Sequence, residues 1–363
     1  MNEKRNANMK PERTRVLVVT DDVLGAKMAG PAIRAWEMAS ALHETCDVRL
    51  VTTNGSTLEH APFPVFGVDQ AGMRRAVDWA QVLVFQGLAL STFPWIRNTD
   101  TVVVADLYDP MHLEILEQGK ELSPKRRAKM TKYIGEVLNV QMELADYMLC
   151  ASEKQRDFWL GALATLGRIN PLSYDADPGL RSLVDIAPFG ISDTPAVQTR
   201  HAIKGEVPGI SEDDQVVLWG GGVYNWFDPL TLIRAVAQLV QDRPKLRLYF
   251  LGVKHPNPDV PAMRMAAETM RLSDELGLTD RHVFFNTDWV DYDDRVNYLL
   301  DADLGVSTHF EHVETAFSFR TRILDYLWAG LPIVATDGDT FAGLIREHRL
   351  GAVVPPEDVD ALA

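Results

Sequence analysis

Two arginines and three carboxylates in the last sixty residues have the types and spacing of an anion-binding site. Arg320 and Arg322 lie two positions apart, at the start of an apolar pattern of helical period. Cations in the first turn are unfavourable for the helix dipole, and an anion bound between them and the helix end would explain their presence. Asp325 follows within the pattern, and Glu311 and Glu314 precede it. The alternative interpretation is a pair of solvated arginines on an ordinary surface helix.

A strand, a loop and a helix must position these side chains. The apolar run 304–306 gives way to an acidic loop, and the apolar residues after Ser318 recur at helical spacing. Gly330 is placed to end the helix, and 331–335 has the composition of a short buried strand. A helix that opens beyond the carboxyl end of a strand presents free N–H groups, which suits a phosphate. The sequence therefore predicts a phosphate site formed by this helix start and the two arginines.

Length and composition indicate a two-domain globular protein. A chain of 363 residues suits two domains, each large enough for an open α/β sheet. Hydrophobic residues make up 46% of the chain and charged residues 24%, as in soluble globular proteins. The net charge of −15, from 36 basic and 51 acidic residues, argues against a non-specific nucleic-acid partner.

The number of cysteines and the hydropathy of the chain indicate the cellular compartment of the protein. Two cysteines, Cys46 and Cys150, do not support a disulfide framework, which favours a reducing cytoplasm. Residues 1–14 are a charged tail, predicted to be disordered, without the apolar segment of a secretory signal. No apolar run approaches the roughly 20 residues of a membrane span. The sequence therefore predicts a cytoplasmic protein whose membrane contact, if any, is peripheral.

Residues 120–132, KELSPKRRAKMTK, form a strongly basic run. Apolar residues accompany it at helical spacing: Met130, Tyr133, Ile134, Val137 and Leu138. One interpretation of 120–138 is an amphipathic helix on the anionic inner surface of a membrane. The other is a solvated helix face.

The N-terminal half has a strand-helix-strand pattern with ligand-type loops. A β-branched run at 15–20 is followed by a loop that contains Gly25 and Gly30 and then by a helical pattern. These glycines do not match G-x-G-x-x-G, so no nicotinamide cofactor is expected. A strand at 102–105 runs into DLYDPMH, which places Asp106, Asp109 and His112 at the edge where open α/β sheets bind ligands. An isolated histidine is more often structural than catalytic.

The C-terminal half repeats this arrangement after a segment of linker composition. We place an N-terminal domain at 15–193, a linker at 194–213 and a C-terminal domain at 214–363. Gly220, Gly221 and Gly222 follow a strand at 216–219 and precede a helix from Pro229, and a triple glycine lets backbone approach a ligand closely. The next two strands end near further candidates, Lys254 and Trp289.

The run 324–332, LDYLWAGLP, resembles the second half of the E-x7-E signature of family-4 retaining glycosyltransferases. Asp325 then stands where that family has its ribose-binding Glu. The other end departs from the signature, because Phe317 lies eight positions before Asp325 and Glu314 lies eleven before it. We expect Glu314 to reach the donor sugar through a longer loop, with Glu311 as the second candidate.

The resemblance implies a GT-B type α/β fold, with two Rossmann-like, doubly wound parallel-sheet domains facing across a cleft. It implies transfer of a sugar from a nucleotide-sugar donor to an acceptor hydroxyl with retention of configuration, without a metal or a cofactor besides the donor. The expected acceptor is a sugar, a lipid-linked molecule or a small molecule, in polysaccharide, glycolipid or secondary-metabolite synthesis. The expected catalytic residues are Glu314, His112 and Asp109. The expected donor-binding residues are Gly30, Gly221, Gly222, Lys254, Trp289, Ser318, Arg320, Arg322 and Asp325.

One departure from the family leaves other functions open. Residues 224–228, YNWFD, stand where the family has basic residues that grip the donor diphosphate. A non-transferring relative, such as a sugar-nucleotide epimerase or a catalytically silent sugar-nucleotide binder, is therefore an alternative. A two-lobed solute-binding protein is another alternative, but that class is exported, and this chain has no signal.

The sequence stops inside a helical pattern, PPEDVDALA, where the family continues, so we expect a C-terminal truncation.

Overall fold

Two parallel sheets organise the computed structural model, which describes residues 13–58, 60–257 and 260–363. Residues 1–12 of the predicted tail lie outside the described residues. The first sheet has seven strands in the order β3-β2-β1-β4-β5-β6-β7. Its strands are β1 (Arg15–Thr20), β2 (Asp47–Thr52), β3 (Val65–Gly67), β4 (Val82–Phe85), β5 (Val102–Asp106), β6 (Tyr147–Cys150) and β7 (Val184–Ile186).

Seven α-helices and two short 3-10 helices accompany these strands in the described N-terminal half. The α-helices are α1 (Gly30–His43), α2 (Gln70–Trp79), α3 (Ala89–Thr92), α4 (Met111–Gln118), α5 (Pro124–Leu144), α6 (Glu153–Thr165) and α7 (Pro171–Ala176). The strand order runs outward in both directions from β1 and β4, so the sheet is doubly wound.

The second sheet has six strands in the order β10-β9-β8-β11-β12-β13. Its strands are β8 (Gln215–Trp219), β9 (Leu246–Phe250), β10 (Val283–Phe285), β11 (Leu304–Ser307), β12 (Ile333–Thr336) and β13 (Gly351–Val354). The order reverses between β8 and β11, and ligands of open α/β sheets bind at the carboxyl ends of such a strand pair. The predicted pair of doubly wound parallel sheets is confirmed.

Two helices of the C-terminal half each have an end that the sequence predicts. The helices of this half are α8 (Pro229–Leu239), α9 (Arg264–Glu275), α10 (Arg295–Asp301), α11 (Val313–Phe317), α12 (Arg322–Ala329), α13 (Thr340–His348) and α14 (Val359–Leu362). Pro229 is the first residue of α8, as predicted. Gly330 ends α12 in the left-handed region, with φ of 68°, also as predicted.

Tyr326 of α12 packs against the centre of the second sheet. A Cβ added to Gly305 of β11 would lie 2.5 Å from its ring, so only glycine lets the helix approach this closely. The Tyr326 hydroxyl accepts a hydrogen bond from the Gly220 N–H (2.7 Å) and lies 3.0 Å and 2.9 Å from the carbonyl oxygens of Leu218 and Val306, to which it donates. One side chain thus connects the ends of β8 and β11.

The described chain divides into two compact units. One holds the described residues up to Asp106 together with Val140–Met148, and the other holds Leu107–Asn139 and Leu149–Ala363. The functional domain boundaries at 193 and 214 stay a prediction.

Three local expectations from the sequence need correction. The acidic segment before Ser318 is not all loop, because it contains the helix α11, in which Glu314 lies. The helix α12 begins at Arg322, so Arg320 precedes it instead of lying in its first turn. The basic segment 120–138 does form much of α5, but Ile134, Val137 and Leu138 are buried in the protein, so this apolar stripe cannot insert into a membrane. No helix among the described residues is long and apolar enough to cross a membrane.

Candidate active site

The candidate site lies at the carboxyl edge of the second sheet, between β8 and β11. The segment 220–228 follows β8, and the segment 308–320 follows β11. Asp228 and Thr308 join the two segments through two hydrogen bonds, from the Asp228 N–H to the Thr308 carbonyl (3.0 Å) and from the Thr308 hydroxyl to the Asp228 carbonyl (2.6 Å). The segment that contains Gly221 and Gly222 and the segment that contains Arg320 are therefore adjacent.

Glu314 and Arg320 form a buried, bidentate ion pair. Arg320 donates from Nη1 to Oε1 of Glu314 (3.0 Å) and from Nη2 to Oε2 (2.7 Å). Glu314 is only 1% exposed, so it is not a solvated loop residue. Glu311 is exposed. The pair holds the Glu314 carboxylate in one orientation, which an acid that contacts substrate requires.

Arg322 is a buried cation without an acidic partner. Its Nη2 donates to the Gly222 carbonyl (2.8 Å), and no carboxylate among the described residues lies within ion-pair distance of it. The guanidinium lies between the rings of Trp219 (4.4 Å) and Phe227 (4.3 Å). Burial lowers the pKa of Arg322 to about 10. The guanidinium remains charged at neutral pH and its charge is not balanced by a neighbouring carboxylate.

Asp325 lies one turn further along α12 and is 39% exposed. Its Oδ1 accepts a hydrogen bond from Nε of Arg295 (3.2 Å), whose guanidinium stacks on Tyr292 (3.7 Å). The ion pair orients the carboxylate and leaves it accessible to a ligand. Sequence reasoning missed Arg295, because nothing in its own segment indicates a partner thirty positions away.

An aromatic group borders the glycine segment. Tyr224 stacks on Trp226 with ring centroids 5.0 Å apart, and Trp289 lies 5.4 Å from His255. A Cβ added to Gly222 would lie 2.9 Å from the Tyr224 ring. The YNWFD segment therefore supplies stacked rings at the place where basic residues were expected. Trp289 is half-buried, and its backbone N–H donates to Oδ1 of Asp288 (2.8 Å).

Asp109 and Glu114 form a second acidic pair near Glu314. Asp109 precedes α4 and Glu114 lies in its first turn, and both residues are half-buried. Burial, and then the negative charge of Glu314, raise the pKa of Asp109 to about 7. Burial and the neighbouring carboxylates also raise the pKa of Glu114 well above its ordinary value. Glu114 was not among the residues chosen from the sequence.

His112 lies in an aromatic cluster. Its ring stacks on Phe158 with centroids 5.3 Å apart, and Phe158 contacts Phe317 at 4.6 Å. Burial lowers the pKa of His112, so its imidazole is neutral at pH 7. Nδ1 of His112 is buried without a hydrogen-bond partner. Phe158 thus contacts both His112 and Phe317, the residue that stands at the position of the first acid of the family signature.

The remaining predicted residues are placed as follows. Ser318 is buried and donates its hydroxyl to the Thr315 carbonyl (3.0 Å), which ends α11. Lys254 is exposed after β9. Gly221 has φ of +96° and open space beside it, and Gly30 is the first residue of α1 with no atom within 4 Å of an added Cβ. No group of three His, Cys, Asp or Glu side chains in the described ranges is arranged to hold a metal ion.

A further buried pair supports the segment after β11. His309 is completely buried, and its Nε2 lies 3.7 Å from Oδ2 of Asp339, the residue that caps α13. Burial lowers the pKa of His309 to about 3, so the ring is uncharged. We assign this pair a structural part in holding the segment that leads to Glu314.

Comparison with known proteins gives a family match for the C-terminal part of the chain. Residues 214–363 match the family described as glycosyl transferases group 1. This part of the chain is thus similar to group 1 glycosyltransferases. The matched region contains both glycine and arginine segments of the site, together with Glu314 and Asp325. A comparison with curated protein sequences gives no match. The narrower assignments to family 4 and to retention stay predictions.

Solved structures give the fold. Sucrose-phosphate synthase from Thermosynechococcus elongatus is 15% identical, with 96% of this chain and 88% of that chain covered and a TM-score of 0.64. HepE of Anabaena, in complex with UDP and glucose, is 16% identical, with 96% and 87% covered and a TM-score of 0.64. WaaG, a glycosyltransferase involved in lipopolysaccharide biosynthesis, is 16% identical, with 95% and 88% covered and a TM-score of 0.58. The predicted GT-B type fold is confirmed.

Proposed function

We propose that this chain transfers a sugar from a nucleotide-sugar donor to an acceptor hydroxyl, with retention of configuration at the anomeric carbon. In this reaction the bond from the anomeric carbon to the donor phosphate oxygen breaks. The bond to the acceptor oxygen forms, and the proton of the acceptor hydroxyl passes to the released nucleoside diphosphate or to solvent. The match of residues 214–363 to glycosyl transferases group 1 supports sugar transfer as the class of reaction.

The unpaired Arg322 guanidinium is the observation that carries the proposal. Removing an ion from water costs several kcal/mol unless another charge or strong hydrogen bonds compensate. Arg322 has one carbonyl and two aromatic faces around it, and no carboxylate within ion-pair distance in the described chain. The diphosphate of a nucleotide-sugar, lying against the Gly221 and Gly222 backbone, would supply the missing charge. Arg320 is already neutralised by Glu314, so we assign the diphosphate chiefly to Arg322.

The other residues then take roles that fit their positions. The Glu314 carboxylate, fixed by Arg320, accepts hydrogen bonds from hydroxyls of the transferred sugar and stabilises positive charge as it develops at the anomeric carbon. The half-buried Asp325 carboxylate accepts hydrogen bonds from the ribose hydroxyls. Trp289 and Tyr224 offer ring faces for the base.

Two solved neighbours support a nucleotide-sugar as the donor. HepE was solved with UDP and glucose, and a trehalose-6-phosphate protein from E. coli was solved with UDP-2-fluoro glucose. Both share the fold of this chain at 14–16% identity. From these two structures we infer only the chemical class of the donor of this chain, which is a sugar linked to a nucleoside diphosphate.

A thermal-shift screen of nucleotide-sugars, followed by kinetics, tests the proposal. A donor that binds the native state raises the melting temperature, which identifies the base and the sugar. Release of free nucleotide from that donor is then measured with and without candidate acceptors. The proposal predicts release that depends on the acceptor, with the sugar recovered on the acceptor in its original anomeric configuration. A donor that binds and is never transferred to any hydroxyl would contradict it.

A second candidate is a relative on the same fold that binds or epimerises sugar-nucleotides without transfer. The Tyr224 and Trp226 stack, which replaces the basic diphosphate grip, is the observation in its favour. The same assay separates the two functions. An epimerase changes the sugar of the donor without an acceptor, and a silent binder releases no nucleotide under either condition.

We further propose a cytoplasmic location and an electrostatic contact with an anionic membrane surface through α5. Its exposed cations are Lys125, Arg126, Lys129 and Lys132. Tyr133 beside them is 49% exposed. Because the apolar stripe of α5 is buried, this contact would depend on charge and weaken with salt.

A further inference from the structure

A buried amide side chain, that of Gln155, lies between two segments of the candidate site. Gln155 is in the first turn of α6 and is 1% exposed. Its Nε2 donates to the carbonyl oxygens of Tyr108 (2.8 Å) and Phe317 (2.8 Å), and its Oε1 accepts a hydrogen bond from the Ala151 N–H (2.8 Å). All four residues belong to the second compact unit. Both N–H donors of the amide are thus satisfied by backbone carbonyl groups.

The two carbonyl groups belong to segments that carry expected catalytic residues. Tyr108 directly precedes Asp109. Phe317 is the last residue of α11, the helix in which Glu314 lies. A helix of five residues is not stable by itself, so α11 keeps its position through contacts with the rest of the protein. The carbonyl groups of its last turn have no partner within the helix, and Gln155 supplies a donor to one of them.

The ring of Phe317 is held by the same face of α6. Phe158 lies three positions after Gln155, which places both side chains on one face of the helix. The ring centroids of Phe158 and Phe317 are 4.6 Å apart. Phe317 stands at the position of the first acid of the family signature. In this chain that position therefore joins α11 to α6 through both its backbone and its ring.

We propose that Gln155 is a positioning residue that fixes α11, and with it the Glu314 carboxylate, relative to the segment that carries Asp109. The proposal rests on the transfer reaction proposed above, in which Glu314 acts on the sugar. Arg320 fixes the orientation of the carboxylate, whereas Gln155 fixes the backbone of the helix that carries it. Gln155 is buried and does not touch substrate, so it acts through Phe317.

The proposal separates turnover from donor binding. The residues assigned to the diphosphate and the ribose, Arg322 and Asp325, lie in α12, and Gln155 has no hydrogen bond to that helix in the described chain. Loss of the amide should therefore lower kcat and leave the affinity for the donor unchanged. A displacement of a reacting group by about 1 Å can cost about a hundredfold in rate. A loss of stability alone would reduce the number of intact sites without changing kcat per intact site.

Gln155→Met removes the amide and keeps the length and approximate volume of the side chain. We expect kcat per binding site to fall by about tenfold to a hundredfold, with the Kd of the donor within about twofold of wild type. The donor is the one found by the thermal-shift screen, and calorimetry gives both its Kd and the number of intact sites. Gln155→Asn, whose shorter side chain cannot reach both carbonyl groups, is the milder variant and should show a smaller fall in kcat of the same kind.

Gln141→Met is the matched control. Gln141 is 2% exposed, and its Nε2 also donates to a backbone carbonyl, that of Gly87. The control therefore loses a buried amide of the same type at a place that is not joined to α11. It should lose stability and keep wild-type kcat per binding site. An equal loss of kcat in Gln141→Met and Gln155→Met would overturn the proposal.

A measurement without substrate keeps this proposal distinguishable from the proposed function. Amide hydrogen exchange, followed by mass spectrometry, reports how firmly a segment is held. Exchange in peptides that cover 313–318 should be faster in Gln155→Met than in wild type and unchanged in Gln141→Met. Unchanged exchange there in Gln155→Met, or faster exchange with wild-type kcat per site, overturns the proposal. A wild-type protein that transfers no sugar would count against the proposed function, and the exchange result would still decide whether Gln155 holds α11.

Discussion

At the scale of single residues, the account depends on how four charges are distributed among Glu314, Arg320, Arg322 and Asp325. Arg320 and Glu314 neutralise each other, whereas Arg322 is left with no acidic partner in the described chain. Arg320 and Arg322 therefore have different roles. Arg320 orients the Glu314 carboxylate, and Arg322 is available to bind an anion.

The first prediction concerns which acid of the α11 segment acts on the sugar. Glu314→Gln should lower kcat by about a hundredfold with little change in KM, because a charge that acts mainly in the transition state is lost. Glu311→Gln, at an exposed position three residues earlier, should leave kcat unchanged. Steady-state kinetics of both variants under identical conditions check this prediction. Wild-type kcat in Glu314→Gln, with loss in Glu311→Gln, would transfer the role to Glu311.

We also expect Glu314→Gln to lower the free energy of unfolding, so the kinetic experiment needs a stability control. The substitution leaves Arg320 buried without a carboxylate, and breaking one side of a buried pair costs about 3–5 kcal/mol. Kinetics should therefore be measured well below the melting temperature of the variant. A loss of kcat that disappears at low temperature would indicate unfolding and not a lost charge.

The second prediction concerns the ribose contact. Asp325→Asn should weaken donor binding by about threefold to thirtyfold, since the amide accepts one hydrogen bond where the carboxylate accepts two. Stability should change by less than about 1 kcal/mol, because the pair with Arg295 is partly exposed. Asp337→Asn, which removes a similar exposed pair with Arg346, is the control. Equal donor affinity in Asp325→Asn and wild type would exclude a ribose contact at this position.

At the scale of elements, α12 both carries the ligand-binding residues and holds the glycine segment. Its Arg322 binds the Gly222 carbonyl, and its Tyr326 binds the Gly220 N–H. The third prediction is that Tyr326→Phe loses about 1–3 kcal/mol of unfolding free energy, because a buried backbone N–H is left without an acceptor. Denaturant unfolding measures this loss. Full stability in Tyr326→Phe would show that the hydroxyl is not needed to hold β8 and β11.

The fourth prediction concerns α5 and tests its contact with a membrane. Binding to vesicles that contain anionic lipid should fall several-fold in Lys125→Gln/Lys129→Gln, and should vanish for wild type in high salt. Arg75→Gln/Arg281→Gln removes the same charge from exposed positions elsewhere and is the matched control. Vesicle sedimentation measures the bound fraction. Equal binding by both double variants, or binding that resists salt, would exclude α5 as the contact.

At the scale of the whole molecule, the sequence predicted the two sheets because buried parallel strands are continuous apolar runs. The runs at 15–20, 216–219 and 246–251 correspond to β1, β8 and β9 within one residue at each end. The sequence did not predict α11, since five residues are too few to show a helical period. It also did not indicate the strands β3 and β13, which are only three and four residues long.

The candidate site was only partly predictable for a physical reason. The residue types that bind a diphosphate sugar are visible in a sequence, and Glu314, Arg322 and Asp325 were chosen on that basis. Their pairings depend on distances that the fold sets. The two hydrogen bonds from Arg320 to Glu314 have no counterpart in sequence spacing.

The most direct test of the central claim is calorimetric titration of a nucleoside and its diphosphate into wild type and Arg322→Gln. The account predicts that wild type prefers the diphosphate, and that Arg322→Gln loses about 1.5–3 kcal/mol of that preference, which is about tenfold to a hundredfold in Kd. Nucleoside affinity should stay unchanged, and Arg346→Gln should behave as wild type. Full diphosphate preference in a folded Arg322→Gln protein would contradict the claim that this buried cation receives the donor phosphates.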